Sequence, residues 1–302
     1  MNTKYKDFKF SKLFTDFSIA VVLILEIIIF SQISPYFLTT DNILNISLQA
    51  SVTAIIAAGM TFVILTAGID LSVGSVVAFT GVITTSLLGL NIPASYSLTL
   101  GVLAGLLFGS ISGYLAGIFI TRFKITPFIV TLALMTIWRG AAFVYTEGRP
   151  IWKIPEAFSF LGTGRILGIP FPTIIMIFVF VASHIVLTKT RFGRYVYAVG
   201  GNKEAARLAG IKTNFILMTV YIISGVLASV SGILLASRIN SGQPNAGLGY
   251  ELDLIAAVVV GGTSLFGGRG TIIGTFFGSM LIAVLRNGLN LLNVGSYVQQ
   301  VI

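Results

Sequence analysis

Long apolar runs separated by short polar breaks set the character of this chain. They lie at roughly 17–33, 44–66, 72–90, 96–121, 125–145, 173–188, 214–237, 252–266 and 271–292. A bilayer core about 30 Å thick takes about 20 apolar residues in a helix. Runs near that length, recurring with little charge, predict membrane-spanning helices rather than buried soluble cores. The predicted fold is all-α: a polytopic transmembrane bundle of about ten helices. Nine runs are complete, and Tyr297 to Ile302 opens a tenth that reads as cut short. The first run could pass for a signal peptide. It is long, and Ser34-Pro35-Tyr36 makes a poor cleavage site, so it reads as the first span.

Two glycine-rich interruptions break apolar stretches. One is Gly68-Ile69-Asp70-Leu71-Ser72-Val73-Gly74, and the other runs from Gly262-Thr263-Ser264-Leu265 through Phe266-Gly267-Gly268-Arg269-Gly270. Gly68, Leu71 and Gly74 match Gly262, Leu265 and Gly268 in spacing. Paired broken helices point to a two-half repeat and to a transport path, and chance similarity in a glycine-rich chain is the competing reading. Broken backbone at membrane depth must be satisfied by protein or a wet cavity. Gly68, Asp70, Ser72, Gly74, Gly262, Thr263, Ser264, Gly267 and Gly268 are therefore the candidate pathway or structural-break residues.

Composition sharpens this. Charged residues make up only 10% of the 302 residues against 55% hydrophobic, and mean hydropathy is +0.96. The 33 glycines suit close helix packing in lipid. The absence of cysteine excludes disulfides, thiolate metal sites and cysteine nucleophiles. A net charge of +9 would suit nucleic acid on a soluble protein. Here the basic residues cluster in short segments: Lys4 to Lys12; Arg122 and Lys124; Lys189 to Lys212; and Arg269. The positive-inside rule accounts for that pattern, with the N-terminus and 189–213 cytoplasmic and 146–172 outside. Segment 146–172 is long enough to hold structure of its own.

Candidate chemistry is sparse. Asp70 reads either as a cap for the half-helix from Leu71 to Gly81 or as a gating or proton-relay carboxylate. Glu26 near the middle of the first span adds little to an ion-coupled reading. Gly262 to Gly268 is not a phosphate-binding loop, because Gly268 stands where lysine would be needed. His184, the single histidine, has no convergent metal partners in the sequence, and no metal or cofactor is expected on this chain. Within 189–213, Asn202 can cap a short helix with Glu204 in its first turn, and Gly210 can end it. That helix suits docking in a partner's groove.

These residues carry a resemblance. The stretch from Ala198-Val199-Gly200-Gly201-Asn202 to Ile211 resembles the cytoplasmic coupling loop of ABC-type simple-sugar permeases, the group that includes ribose, xylose, arabinose, galactoside and autoinducer-2 importers. Thr66 to Ser75, Gly249 to Gly270 and Asn287 to Val294 are similar to the same family's motifs, in order, over nearly the whole chain, closest to its ribose branch. The resemblance implies a single permease domain over 1–302 in the bacterial inner membrane, without enzymatic activity of its own. It implies a separate cytoplasmic subunit that uses ATP, an extracytoplasmic sugar-binding protein and a second permease copy. Gly200, Gly201, Asn202, Glu204, Ala205, Ala206 and Gly210 would couple to the ATPase. Open alternatives are another small solute (autoinducer-2 or a branched-chain amino acid), a secondary transporter and, last, a membrane enzyme.

Overall fold

The structure, a computed structural model, describes residues 19–152, 154–299 and 301; Lys4 to Lys12 lie outside these. Helix α1 covers Ile19–Ile33. It is followed by α2 (Thr40–Leu65), α3 (Val73–Leu88), α4 (Ala94–Thr121) and α5 (Pro127–Thr146). The expected outer segment contains α6 (Glu156–Thr163) and a two-residue hairpin, β1 (Arg165–Ile166) against β2 (Ile169–Pro170). Then come α7 (Phe171–Lys189), α8 (Arg191–Gly201), α9 (Lys203–Leu208), α10 (Thr213–Arg238), α11 (Tyr250–Val260), α12 (Ile272–Leu291) and the short α13 (Ser296–Gln299). Helices α2, α4, α5, α7, α10 and α12 are each long and apolar enough to cross a membrane. Each predicted apolar run contains a helix. The run at 252–266 holds the shortest of these helices: α11 has 11 residues, about 16 Å, half a hydrocarbon core. It stops because Gly262 takes a left-handed φ of +89°, closing the helix with a Thr263 N–H bond to the Val258 carbonyl.

Small residues hold the bundle together. In lipid there is no hydrophobic drive between helices, so close backbone approach supplies the attraction. Gly101, Gly105, Gly109, Gly113 and Gly117 form a stripe along α4, every fourth residue. A Cβ on Gly109 would strike the Gly225 carbonyl oxygen of α10, and a Cβ on Gly225 would strike that of Gly109. Gly113 lies equally tight on Tyr221. Beside this seam Phe108 of α4 stands edge-on to Phe79 of α3 and Trp138 of α5, with centroids 5.0 Å apart in both pairs. Trp138 Nε1 donates to Ser112 Oγ at 2.8 Å, so the half-buried indole has its donor satisfied.

The chain carries an inverted repeat. Adding 173 to the bounds of α2, Thr40–Leu65, gives those of α10, Thr213–Arg238. Both helices end alike. Ala67 (φ +59°) and Asn240 (φ +51°) are left-handed, and the next N–H, of Gly68 or Ser241, returns to the carbonyl of Val63 or Ala236. The same offset pairs Gly59 with Gly232, Gly74 with Gly247, Gly89 with Gly262, Gly101 with Gly274 and Gly105 with Gly278. α2 and α10 cross antiparallel, Gly59 against Ser224, with Ser231 Oγ donating to the Val52 carbonyl at 2.8 Å. A Cβ on either Gly74 or Gly247 would collide with the other's carbonyl oxygen, as expected beside a pseudo-twofold axis. The two-half reading therefore holds in a different register: Gly74 pairs with Gly247, and the spacing match with Gly262 to Gly268 does not mark equivalent positions.

The two ends of the bundle differ. At one end Gly117 of α4 packs on Met218 of α10, and the Gly268 N–H donates to the Leu65 carbonyl at 2.9 Å. This end gathers Arg122, Lys124, α8, α9 and Arg269. At the other, Ile151 pairs with Gly242, and Ser237 Oγ donates to the Phe158 carbonyl of α6. Segment 146–172 therefore caps the end opposite the basic one.

Candidate functional site

The first break lies deep in the bundle. After Leu65 the chain reverses at Ala67 and climbs back along α10, so Asp70 meets Ser224, roughly 16 Å along that helix at about 1.5 Å per residue. Gly68 is needed here, because a Cβ would strike the Tyr221 hydroxyl. Asp70 is 2% exposed. Its Oδ1 accepts from the Ser72 N–H at 3.0 Å and Ser72 Oγ at 2.6 Å, and its Oδ2 accepts from Ser224 Oγ at 2.8 Å. The carboxylate thus ties the re-entrant strand to the start of α3 and to α10, with only neutral donors. Ser72 and Gly74 are buried beside it.

The second break is shallow. Gly262, Gly267 and Gly268 have φ of +89°, +80° and +71°, and the Ser264 N–H donates to the Arg269 carbonyl at 2.9 Å, closing a tight loop. Thr263 is 2% exposed, while Phe266 at the loop tip is 91% exposed. This loop does not face Asp70. It packs on the end of α8: a Cβ on Gly200 would collide with the Leu65 carbonyl, and one on Gly268 would come within 2.9 Å of Gly201. Tyr197 Oη donates to the Gly270 carbonyl at 2.8 Å. The candidate coupling segment, the end of α2 and the second break thus form one contiguous surface.

Helix α8 was not predicted. Its signal was the apolar set Phe192, Val196 and Val199 at helical spacing, with Thr190 capping through the Gly193 N–H at 3.1 Å. α9 has the expected form. Asn202 Oδ1 accepts from the Ala205 N–H at 2.9 Å, and Gly210 ends the segment at φ +84°. Only Ala206 is buried; Gly201, Asn202, Glu204, Ala205 and Gly210 are exposed. Glu204 pairs with Arg207 at 2.9 Å. Leu208 is 82% exposed, an apolar side chain without cover. A hollow of about 370 Å³ lies alongside, lined by Phe192, Tyr195, Ile211, Lys212 and Phe215 among others.

A third feature escaped the sequence reading. A cavity of about 310 Å³ opens between α2, α10, α11 and α12. Gln49, Thr53, Arg238, Tyr250, Asp253, Ser279 and Arg286 supply its polar lining. Arg286 donates to Asp253 across it, Nη2 to Oδ2 at 2.6 Å. Charge within a membrane bundle is costly and marks solute or ion paths. Arg286 inside the 271–292 run was the available sign. Among the described residues no three His, Asp or Glu side chains converge on a metal site, and His184 is half-buried on α7.

With this geometry in hand, the chain can be placed among known proteins. A family profile described as the permease component of the branched-chain amino acid transport system matches residues 42–302. The ribose import permease protein of Haemophilus influenzae is 46% identical, covering 100% of this chain and 93% of the relative. That of Escherichia coli is 47% identical, over 93% of this chain and 88% of the relative. The D-allose transport system permease protein of Escherichia coli is 37% identical, over 98% and 90%. No solved structure matches the chain.

Proposed function

We propose, from the premise that this chain belongs to the branched-chain amino acid transport system/permease component family, that it is the membrane-spanning subunit of an ATP-driven importer for a simple sugar, ribose first. The observation that carries the reading is the whole-chain similarity to ribose import permeases of two species, with a D-allose permease next. The family's name includes amino acids, so the solute has to be argued separately. Ribose import permeases match over at least 93% of this chain at 46–47% identity, which supports the sugar.

The chain acts as one permease domain over 1–302, pairs with a second copy, receives sugar from an extracytoplasmic binding protein and is driven by a cytoplasmic ATP-using subunit. The basic end of the bundle faces the cytoplasm, with the N-terminus on the same side. There the exposed faces of α9 and the 262–270 loop, with Leu208 and Phe266 uncovered, form the docking surface. The deep break at Gly68 to Gly74 makes the rigid interior against which the halves move. Uptake of labelled ribose tests this directly, in cells lacking their own ribose permease but supplied with this chain and its ATP-using and sugar-binding partners. Ribose should accumulate, and unlabelled leucine should not compete. Leucine uptake without ribose uptake would assign the chain to the amino acid branch.

A further inference from the structure

The deep break and the coupling surface leave the charged cavity between α2, α10, α11 and α12 without a role. We infer that this cavity is a sugar-binding station on the transport path, built for a neutral polyhydroxylated solute; this rests on the sugar reading above. Arg238, Asp253 and Arg286 come from three helices into one space of about 310 Å³, within the range of about 300–1,000 Å³ for small-ligand sites. The Arg286–Asp253 pair uses one carboxylate oxygen, Oδ2. Gln49 gives its Nε2 to Asn45 Oδ1 at 3.0 Å, which leaves its carbonyl oxygen as an acceptor. Arg238 makes no side-chain hydrogen bond among the described residues. Ser279 Oγ is buried without a partner, and Ser279 is 3% exposed. A buried, unpaired hydroxyl costs free energy unless a ligand or water meets it. The lining offers donors and acceptors together, which vicinal hydroxyls need. Asp253, already paired with Arg286, and the Gln49 carbonyl oxygen add acceptors that a solute carboxylate would not use.

The absence of cysteine makes the test clean. A Ser279→Cys variant of the complete importer, reconstituted in proteoliposomes with its ATP-using and binding partners, is treated with a small charged methanethiosulfonate reagent. Modification should stop ribose uptake, and ribose-loaded binding protein with ATP should slow it. A Leu103→Cys variant, 59% exposed on the α4 surface, should resist the reagent. In parallel, Gln49→Ala and Arg238→Gln should raise the KM for ribose uptake about tenfold or more, while co-purification with the partners stays unchanged. If the wild-type importer carries ribose but both variants keep its KM, or modified Ser279→Cys transports normally, the cavity is not on the path and the sugar reading stands. If the wild type carries no sugar, the sugar reading itself fails. Protection of Ser279→Cys by leucine rather than by ribose would assign the cavity to a zwitterionic amino acid and overturn the proposal.

Discussion

At Asp70, charge and hydrogen bonding make different demands, and two substitutions separate them. The carboxylate accepts three hydrogen bonds from neutral donors while 2% exposed. Asparagine can keep all three links: its carbonyl accepts from the Ser72 N–H and hydroxyl, and its amide donates to Ser224 Oγ. Leucine strands those donors at about 1–3 kcal/mol each. Asp70→Leu should therefore sharply reduce the amount of permease assembled with its partners, with Asp70→Asn close to wild type in both amount and uptake. Normal assembly of the Asn variant with uptake as poor as that of Leu would mean that the negative charge itself serves transport. Gly200 gives a second case. Its Cα lies so near the Leu65 carbonyl that a methyl group cannot fit, so Gly200→Ala should push α8 off α2. Uptake and detergent-solubilised thermal stability should fall together, because the residue acts through packing inside the chain rather than by touching a partner.

The elements show which parts of the molecule could be read without a structure. Run length located the spans, since a backbone in lipid must satisfy its polar groups within helices. The cap at Asn202 and the stop at Gly210 were legible because both depend on residues within a single turn. The depth of each break was not legible. Gly68 and Gly262 look alike in sequence, yet one reverses beside Ser224 and the other closes a surface loop, and only contacts across the bundle distinguish them. The cavity was hidden for the same reason: Gln49 and Arg286 lie on helices far apart in the chain. Helix α9 supplies the prediction at this scale. Gly210→Pro forces φ near −65° where the chain has +84° and removes the Gly210 N–H bond to the Arg207 carbonyl. Leu208→Asp places a charge on an exposed apolar contact. Both variants should reach the membrane in normal amount, lose co-purification with the ATP-using subunit and lose uptake. Co-purification at the wild-type level would remove α9 from the docking surface.

For the whole molecule, the inverted repeat makes orientation a question of charge. The pseudo-twofold relation maps α2 onto α10 with the bundle turned over, so the apolar frame of these paired elements reads much the same from either side of a bilayer. What breaks the equivalence is the distribution of lysine and arginine. Lys189, Arg191, Arg194, Lys203, Arg207 and Lys212 share an end with Arg122, Lys124 and Arg269, and the opposite segment 146–172 has Arg149, Lys153 and Arg165, offset in part by Glu147 and Glu156. Lysine and arginine in short loops favour the cytoplasmic side, which is the ground for proposing that α8 and α9 lie inside. A single span, α7, separates the β1–β2 turn from α8, so Leu167 and Lys203 belong on opposite sides. Leu167 is 97% exposed at that turn, and Lys203 is exposed at the start of α9. In the cysteine-free chain, Leu167→Cys should react with an impermeant maleimide added to cells with a permeabilised outer membrane, and Lys203→Cys should react only after lysis. The reverse pattern would turn the bundle over and place the proposed docking surface outside, where no ATP-using subunit could reach it. Labelling of both in intact cells would show that α7 does not cross the membrane at all.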